Sequence, residues 1–514
     1  MDSLQQWLEQ SSIFQPSTLI PAILLLILLI YLSNKKFNTQ NVKLPPNPPK
    51  LPIIGNLHQL SKHPHLSLYS LSKKYGPIFH LQLGEIPTVI ISSAEMAKEV
   101  LKTHDLALAN RPQIFGAKHL FYNCTDMAFV SYGPYWRHVR KICIFEILSA
   151  KRVQSYEFVR EQEVVKLIYR IEESSYPQTL NLTKLLHMYA NDVLCRVVFG
   201  KDFSAGGVYE RLGFQEMLEE FQELLGGFDV GDFFPSLEFV HTLTGNKSRL
   251  LRAFRRFDEF FDGVIEDHLN SNNMRDHKDF VDILLEVQKD NIQYCEIPLT
   301  LDNVKAILLD MFAAGTDTTF ITLDWGMTEL ITHPKILKKL QSDVRSKLGD
   351  RKFVSESDIT QMNYLKAVIK EIFRLHPPAP VLLPRESMEE VFVGGYTIPE
   401  KTRIYINAWA IGRSQESWKD PDKFDPERFM DNEIDFRGKD FELIPFGAGR
   451  RSCPAIAFGS ATVELALAQL VHSFDWELPP GVQPADLDMT EVFGITMHRI
   501  SPLLVVAKPI FKGI

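Results

Sequence analysis

The sequence predicts a mainly α-helical protein with small peripheral β-sheets, preceded by a single N-terminal transmembrane helix. Three observations predict it. Lys151 to Leu348 is dominated by helical patterns with charged faces, such as Leu250 to Leu269. Short β-prone runs bounded by glycine or proline lie on either side of that centre. Residues 13–32 are predominantly apolar, long enough at about 1.5 Å per residue to cross a bilayer core of about 30 Å.

Residues 1–12 carry Asp2 and Glu9 where a secretory signal would be basic, and no small-x-small site follows Leu32. The span 13–32 is therefore read as an anchor, in which Pro21 is tolerable. Lys35, Lys36, Lys43 and Lys50 follow it, so the positive-inside rule puts 1–12 in the lumen and the rest in the cytosol. Residues 33–52 form a basic, proline-rich hinge whose run from Leu44 to Pro49 is a stiff spacer. At 514 residues the chain is long for one core. No internal linker divides it, so 53–514 is read as one large domain.

Within that domain, Ile78 to Leu83 and Thr88 to Ile91 are strand-like, separated by Gly84 and Pro87, and a helix follows from Ala94 to Thr103. Beyond Arg374 come short strands at Val391–Val393, Tyr396–Ile398 across a Gly394-Gly395 turn, and Arg403–Ile406. A last hairpin-like region runs from Val492 to Ala507. The net charge of −8 and the lack of a basic tract give no reason to expect nucleic acid. The five cysteines, Cys124, Cys143, Cys195, Cys295 and Cys453, show no paired spacing, which disfavours a disulfide framework or a zinc site. Sequons at Asn123, Asn181 and Asn246 are read as chance in a cytosolic domain.

The segment Phe446 to Ala455 carries the most chemistry. It sets Cys453 on a glycine-bearing loop just before an apolar helix, Ile456 to Val471, with Pro454 near the first helical position. Free N–H groups at a helix start and a neighbouring cation lower a thiol pKa, which suits an iron-bound thiolate. Gly447 and Gly449 would let backbone approach a flat cofactor, and Arg451 could pair with a carboxylate on it. A bare cysteine is more often an inert buried residue. Here the company of Phe446, two glycines and Arg451 weighs against that.

The Phe446-x-x-Gly449-x-Arg451-x-Cys453 pattern resembles the haem-binding loop of the cytochrome P450 family, and four further motifs agree in order. Trp136 and Arg140 stand i, i+4 on a predicted helix; in the family such a pair bonds the haem propionates, a role the resemblance extends to Arg385 and Arg451. Ala314 to Thr319 resembles the oxygen-activation segment of the central helix. Glu371 and Arg374 resemble the Glu-x-x-Arg pair, and Arg428, in Pro426 to Phe429, the arginine that completes its structural network. Leu57 to Leu60 and Pro384 to Ser387 are similar to the plant microsomal branch. Ala455 departs from the usual glycine two residues past the thiolate, and Asn47 from the hinge glycine; haem is still expected to bind.

The resemblance implies haem b on Cys453 and a cytochrome P450 fold over residues 53–514, held at the endoplasmic reticulum membrane. A thiolate opposite dioxygen favours O–O cleavage. Thr318 with Asp317 would relay the protons that cleavage needs, although threonines back-bonding to the preceding turn are the plainer reading of that stretch. Glu371 and Arg374 could by themselves be an exposed pair contributing about 0.2–0.5 kcal/mol. Arg137 and Lys141 suit docking of an acidic electron donor. The chain has no dinucleotide fingerprint, so electrons come from NADPH through NADPH–cytochrome P450 reductase, with cytochrome b5 as an optional second donor.

By similarity the pocket for a small hydrophobic substrate draws on Phe121, Phe129, Phe312, Ala313, Ala379, Val381, Leu382, Ile495 and Thr496, all but Thr496 apolar. Phe228 to Val240 resembles the loop that touches the lipid bilayer. The expected activity is monooxygenation of a terpenoid or terpenoid-derived indole alkaloid. The alternatives are a reductase-independent haem-thiolate isomerase or dehydratase, and a non-catalytic haem-binding protein.

Overall fold

The computed structural model describes residues 43–174, 178–201, 214–226, 229–270, 277–294 and 297–511. The expected anchor 13–32, its luminal leader, hinge residues 33–42, Phe228 and Cys295 lie outside them. Helices longer than eight residues are α1 (Pro64–Tyr75), α2 (Pro134–Ile142), α3 (Glu157–Glu173), α4 (Leu182–Phe199), α5 (Phe214–Gly226), α6 (Asn246–Asn270), α7 (Phe280–Tyr294), α8 (Leu301–Thr332), α9 (Pro334–Leu348), α10 (Asn363–Leu375) and α11 (Ile456–Ser473).

The fold is built around α8. Thr300 and Asn303 start it with a reciprocal cap, the Thr300 hydroxyl accepting from Asn303 N and Asn303 Oδ1 from Thr300 N. The helix ends where His333 meets Pro334, which cannot continue it. By length and hydropathy α8 could cross a membrane, but 72% of its most apolar window is buried inside the protein. It packs on α4, α10 and α11. Gly315 permits the contact with α4, because a Cβ there would lie 3.2 Å from both methyls of Leu194.

Strands are short and peripheral. β1 (Ile78–Leu83) and β2 (Ile86–Ile91) form a hairpin, extended by β7 (Arg403–Ile406) parallel to β2 and by β4 (Arg385–Glu386) antiparallel to β7. β2 begins two residues earlier than expected and contains Pro87, tolerated near a strand start where no ladder donor is needed. β5 (Val391–Val393) and β6 (Tyr396–Ile398) turn at Gly394-Gly395. The helix after β2 is regular only from Ala94 to Lys98 and widens into a π turn from Glu99 to Thr103.

The expected C-terminal hairpin is two separate features. β9 (Glu491–Phe493) pairs with β10 (Met497–Arg499). β11 (Leu504–Pro509) pairs with β8 (Phe474–Glu477) and with β3 (Leu180–Asn181). Ser501-Pro502 separates the two, since proline has no N–H to continue a ladder.

Candidate functional site

The cysteine loop is fixed from both ends. Cys453 N donates to Phe446 O at 2.9 Å, closing the loop on itself. The Phe446 ring packs between Phe373 of α10 and Phe436, at 5.0 and 5.5 Å. The following helix starts at Ile456, so Pro454 stands ahead of it and Ala455 is its N-cap. Ala455 has φ −97°, a conformation any residue adopts, and its N–H is directed at the Cys453 sulfur. Its methyl therefore costs no backbone strain. Burial pushes the Cys453 thiol up, while the Ala455 N–H and the Arg140 charge draw it down.

The two loop glycines differ. Gly449, at φ +71°, is needed because a Cβ would meet Leu101 O at 2.2 Å and Asp105 at 2.7 Å; it faces protein and not a cofactor. Gly447, at φ +66°, has nothing nearer than Leu382 at 3.9 Å, so open space lies beside it.

Four arginines converge beside this loop. Arg385, set by β4, donates to Asp105 at 2.8 Å and to Ala448 O at 2.9 Å. Arg451 donates to Ala109 O, Met127 O and Val130 O. Its guanidinium lies 4.5 Å from the Trp136 ring centre. Arg140, one turn after Trp136 on α2, donates to Ser452 O at 2.6 Å. Arg111, which sequence reasoning missed, donates to Ala128 O, Leu383 O and Pro384 O. Burial and mutual repulsion pull Arg451 down to about 9 and Arg111 well below the ordinary arginine value.

Among the described residues, the carboxyls facing these four cations are those of Asp105 and Asp126, with Cys453, Cys143 and Tyr132 as weaker acids nearby. Trp136 Nε1 is buried with no acceptor among the described residues. A dianionic group bearing two carboxylates would balance the charge and take up the orphaned N–H. That is the demand made by haem with its two propionates, so the residues fit this cofactor.

Midway along α8 one face is uncovered. Ala314 is exposed and Ala313, Gly315, Asp317 and Thr318 are half-buried, in a helix otherwise buried from Asn303 to Ile331. The helix runs unbroken through this stretch. Thr318 Oγ1 donates to Ala314 O at 2.7 Å, so the back-bonded threonine is present. Asp317 is held by the Thr496 hydroxyl.

The expected pocket residues do not all share this face. Thr496 reaches it through Asp317, and Met497 N donates to Pro378 O, bringing the β9–β10 turn beside the segment containing Ala379. Leu382 flanks the space beside Gly447. Ile495 abuts the end of α5, where a Cβ on Gly226 would meet its N at 2.8 Å. Phe121 and Phe129 pack on each other at 5.5 Å, and Phe121 also on Phe221 of α5. Phe312 faces the other way: it is fully buried and stacks on Phe199 of α4 at 4.7 Å. Val381 packs with Phe79 and Leu81 in the sheet core.

Behind the loop, Glu371 and Arg374 form a buried bidentate pair at 2.7 and 2.8 Å, and Arg428 Nε donates to the same carboxylate at 3.0 Å. Arg374 also donates to Gly412 O, Pro421 O and Lys423 O. The network thus ties α10 to the segment 412–428 that leads into the cysteine loop. A cleft of about 460 Å³ between α10 and α11, lined by Lys366, Lys370 and Glu464 among others, lies away from Cys453.

Comparison with known proteins agrees with this geometry. Residues 45–505 match the family described as Cytochrome P450. Cytochrome P450 71AP13 of Prunus mume is 65% identical over 99% of this chain and 98% of its own. Premnaspirodiene oxygenase of Hyoscyamus muticus is 46% identical over 92% and 94%. Phenylacetaldehyde oxime monooxygenase of Prunus mume is 45% identical over 98% and 97%. A zebrafish cytochrome P450 structure with progesterone superposes with a TM-score of 0.75 at 25% identity, covering 87% of this chain and 99% of that one.

Proposed function

The chain belongs to the cytochrome P450 family, and from that premise we propose that it is a membrane-anchored haem-thiolate monooxygenase oxidising a hydrophobic plant metabolite with a terpene-derived skeleton. The monooxygenase class, the haem and the need for an electron-donating reductase follow from the family and its plant relatives. The observation carrying the site assignment is one half-buried cysteine, with a backbone N–H aimed at its sulfur, beside four arginines short of negative charge.

Cys453 would ligate the iron, and Arg140, Arg385, Arg451 and Trp136 would bind the two propionates. Haem held this way supplies oxygen activation, because a thiolate donates electron density that favours O–O cleavage. The chain's own residues handle protons and water. Thr318 donates to Ala314 O, which leaves its oxygen as an acceptor for an incoming proton donor. Asp317 is the acid connecting that hydroxyl to solvent, oriented by Thr496. Phe129 and Leu382 contribute apolar walls that exclude bulk water.

Electrons arrive from NADPH through NADPH–cytochrome P450 reductase, with cytochrome b5 as an optional donor. Exposed Arg137 and Lys141 on α2, with Phe145 64% exposed just beyond, offer a basic face with an apolar centre for such a protein.

An exposed apolar patch supports contact with the endoplasmic-reticulum membrane. Ile53 is 66%, Phe239 58% and Leu243 77% exposed. Both segments meet at the β1–β2 turn: Gly55 bridges to Leu83, and Glu85 N donates to Phe233 O at 2.7 Å. The anchor 13–32 would bring this patch to the bilayer, from which a lipophilic substrate can enter.

The terpene preference rests on the apolar lining and on the named activity of the Hyoscyamus relative. The oxime monooxygenase relative favours a second reading, an aromatic oxime substrate. Microsomes carrying this chain and a reductase should be given NADPH, oxygen and separate panels of sesquiterpenes, terpenoid indole alkaloids and phenylacetaldehyde oxime. An oxygenated terpenoid product is the expected result. Turnover of the oxime alone would favour the second reading, and NADPH-independent rearrangement of hydroperoxides would contradict the reaction itself.

A further inference from the structure

Two carboxyl groups meet in the interior beside the arginine cluster. Asp126, between Phe121 and Phe129, and Asp310, on α8, are both buried, and their carboxyl groups lie close enough to interact. Each also grips the loop backbone: Asp310 Oδ2 accepts from Met127 N at 2.6 Å, and Asp126 Oδ2 from Phe129 N at 2.8 Å. Asp126 Oδ1 is buried and, among the described residues, makes no well-formed hydrogen bond, although the Asp126 and Ala128 N–H groups lie near the carboxyl. Two ionised carboxylates in contact repel, whereas one proton between them makes a charge-assisted hydrogen bond and supplies the missing donor.

The surroundings say which oxygen is charged. Arg111 and Arg451 face Asp126, with Arg385 and Arg140 beyond them. Among the described residues, Tyr135 and Cys143, from α2 and the turn after it, and Cys124 on the loop are further titratable neighbours. Burial and the Asp126 charge push Asp310 well above the usual carboxylate range, and burial also raises Asp126, by less.

The loop needs a fastening. Tyr122, Asn123 and Cys124 are three consecutive non-glycine residues with φ of +48°, +60° and +54°, a strained conformation that persists only when the surroundings enforce it. The same loop supplies Met127 O and Val130 O to Arg451 and Ala128 O to Arg111. We propose that Asp310 and Asp126 share one proton, carried by Asp310, and that the pair positions residues 125–130 against α8 and thereby sets Arg451 and Arg111 at the haem site. This goes beyond the monooxygenase reading and does not depend on the substrate.

The test uses the full chain in nanodiscs. Infrared difference spectra of wild type against Asp310→Asn at pH 7 should show a protonated-carboxyl C=O band that shifts in D₂O; this readout needs neither turnover nor substrate. The asparagine amide can donate to Asp126 and accept from Met127 N, so it should rescue what alanine loses. Spectral titration with 4-phenylimidazole should show Asp310→Ala weakened about tenfold, the scale of one lost buried hydrogen bond, and Asp310→Asn close to wild type. Raising the pH should weaken binding in wild type as Asp310 ionises, and not in Asp310→Asn. Absence of the carboxyl band at pH 7, or equal loss in the Asn and Ala variants, overturns the proposal.

Discussion

The Thr496 hydroxyl donates a hydrogen bond to the Asp317 carboxylate, joining the turn between β9 and β10 to the acidic position of α8. A residue expected only to line the pocket therefore also orients the acid expected to relay protons. Thr496→Val should leave Asp317 unguided, so that more NADPH is consumed without product and more hydrogen peroxide is released, while Thr496→Ser restores coupling. Asp317→Asn should slow product formation by roughly 10²-fold, the scale of a positioned proton donor. Measuring NADPH, peroxide and product together checks both; unchanged coupling in Thr496→Val would remove Thr496 from the relay.

The Glu371 carboxylate is fully buried and serves two arginines. Removing one partner of such a pair costs about 3–5 kcal/mol because the other charge is left uncompensated. Arg374→Ala should therefore fail to retain haem and lower the chemical-denaturation midpoint, whereas Arg428→Ala, at the more exposed edge of the network, should be milder. The haem-to-protein absorbance ratio and the denaturation curve measure this.

His80 on β1 is buried next to Lys50, and burial pulls it from 6.5 to about 4. The unfolded chain then binds the extra proton first, so stability is full above about pH 6.5 and falls as pH drops toward 4. At about 1.4 kcal/mol per unit the loss amounts to a few kcal/mol. His80→Phe should flatten that part of the stability profile, read by denaturant melts between pH 7 and 4.

Lys141 and Phe145 are exposed on the face assigned to the electron donor. Lys141→Glu should slow reduction by the reductase several-fold at low ionic strength, with the difference shrinking as salt screens the charge. An unchanged stopped-flow reduction rate and salt dependence would move the docking surface elsewhere.

Local spacing made some of this site legible and tertiary contact hid the rest. Glu371 and Arg374 are neighbours because i, i+3 positions share a helix face, and Trp136 and Arg140 likewise at i, i+4. The same geometry could have excluded Phe312: it stands two residues from Ala314, about 200° round the helix, and so turns its ring to Phe199 and not to the open face. Gly449 was read as a cofactor contact, but its neighbours are Leu101 O and Asp105, far away in sequence. Arg111 and the Asp126–Asp310 pair carry no motif of their own, since their roles exist only once the loop, α8 and the cysteine segment are folded together. The strands of the final segment were visible in pattern, but which pairs with which was decided by Ser501-Pro502 and by the approach of β8.

The most direct test is the reduced, carbon-monoxide difference spectrum of the membrane-expressed protein beside Cys453→Ala. A Soret band at the thiolate-specific position is expected, present despite Ala455 because the Ala455 N–H still faces the sulfur, and lost in the variant. A protein that binds no haem, or a band that survives in Cys453→Ala, would contradict the assignment of Cys453 as the iron ligand.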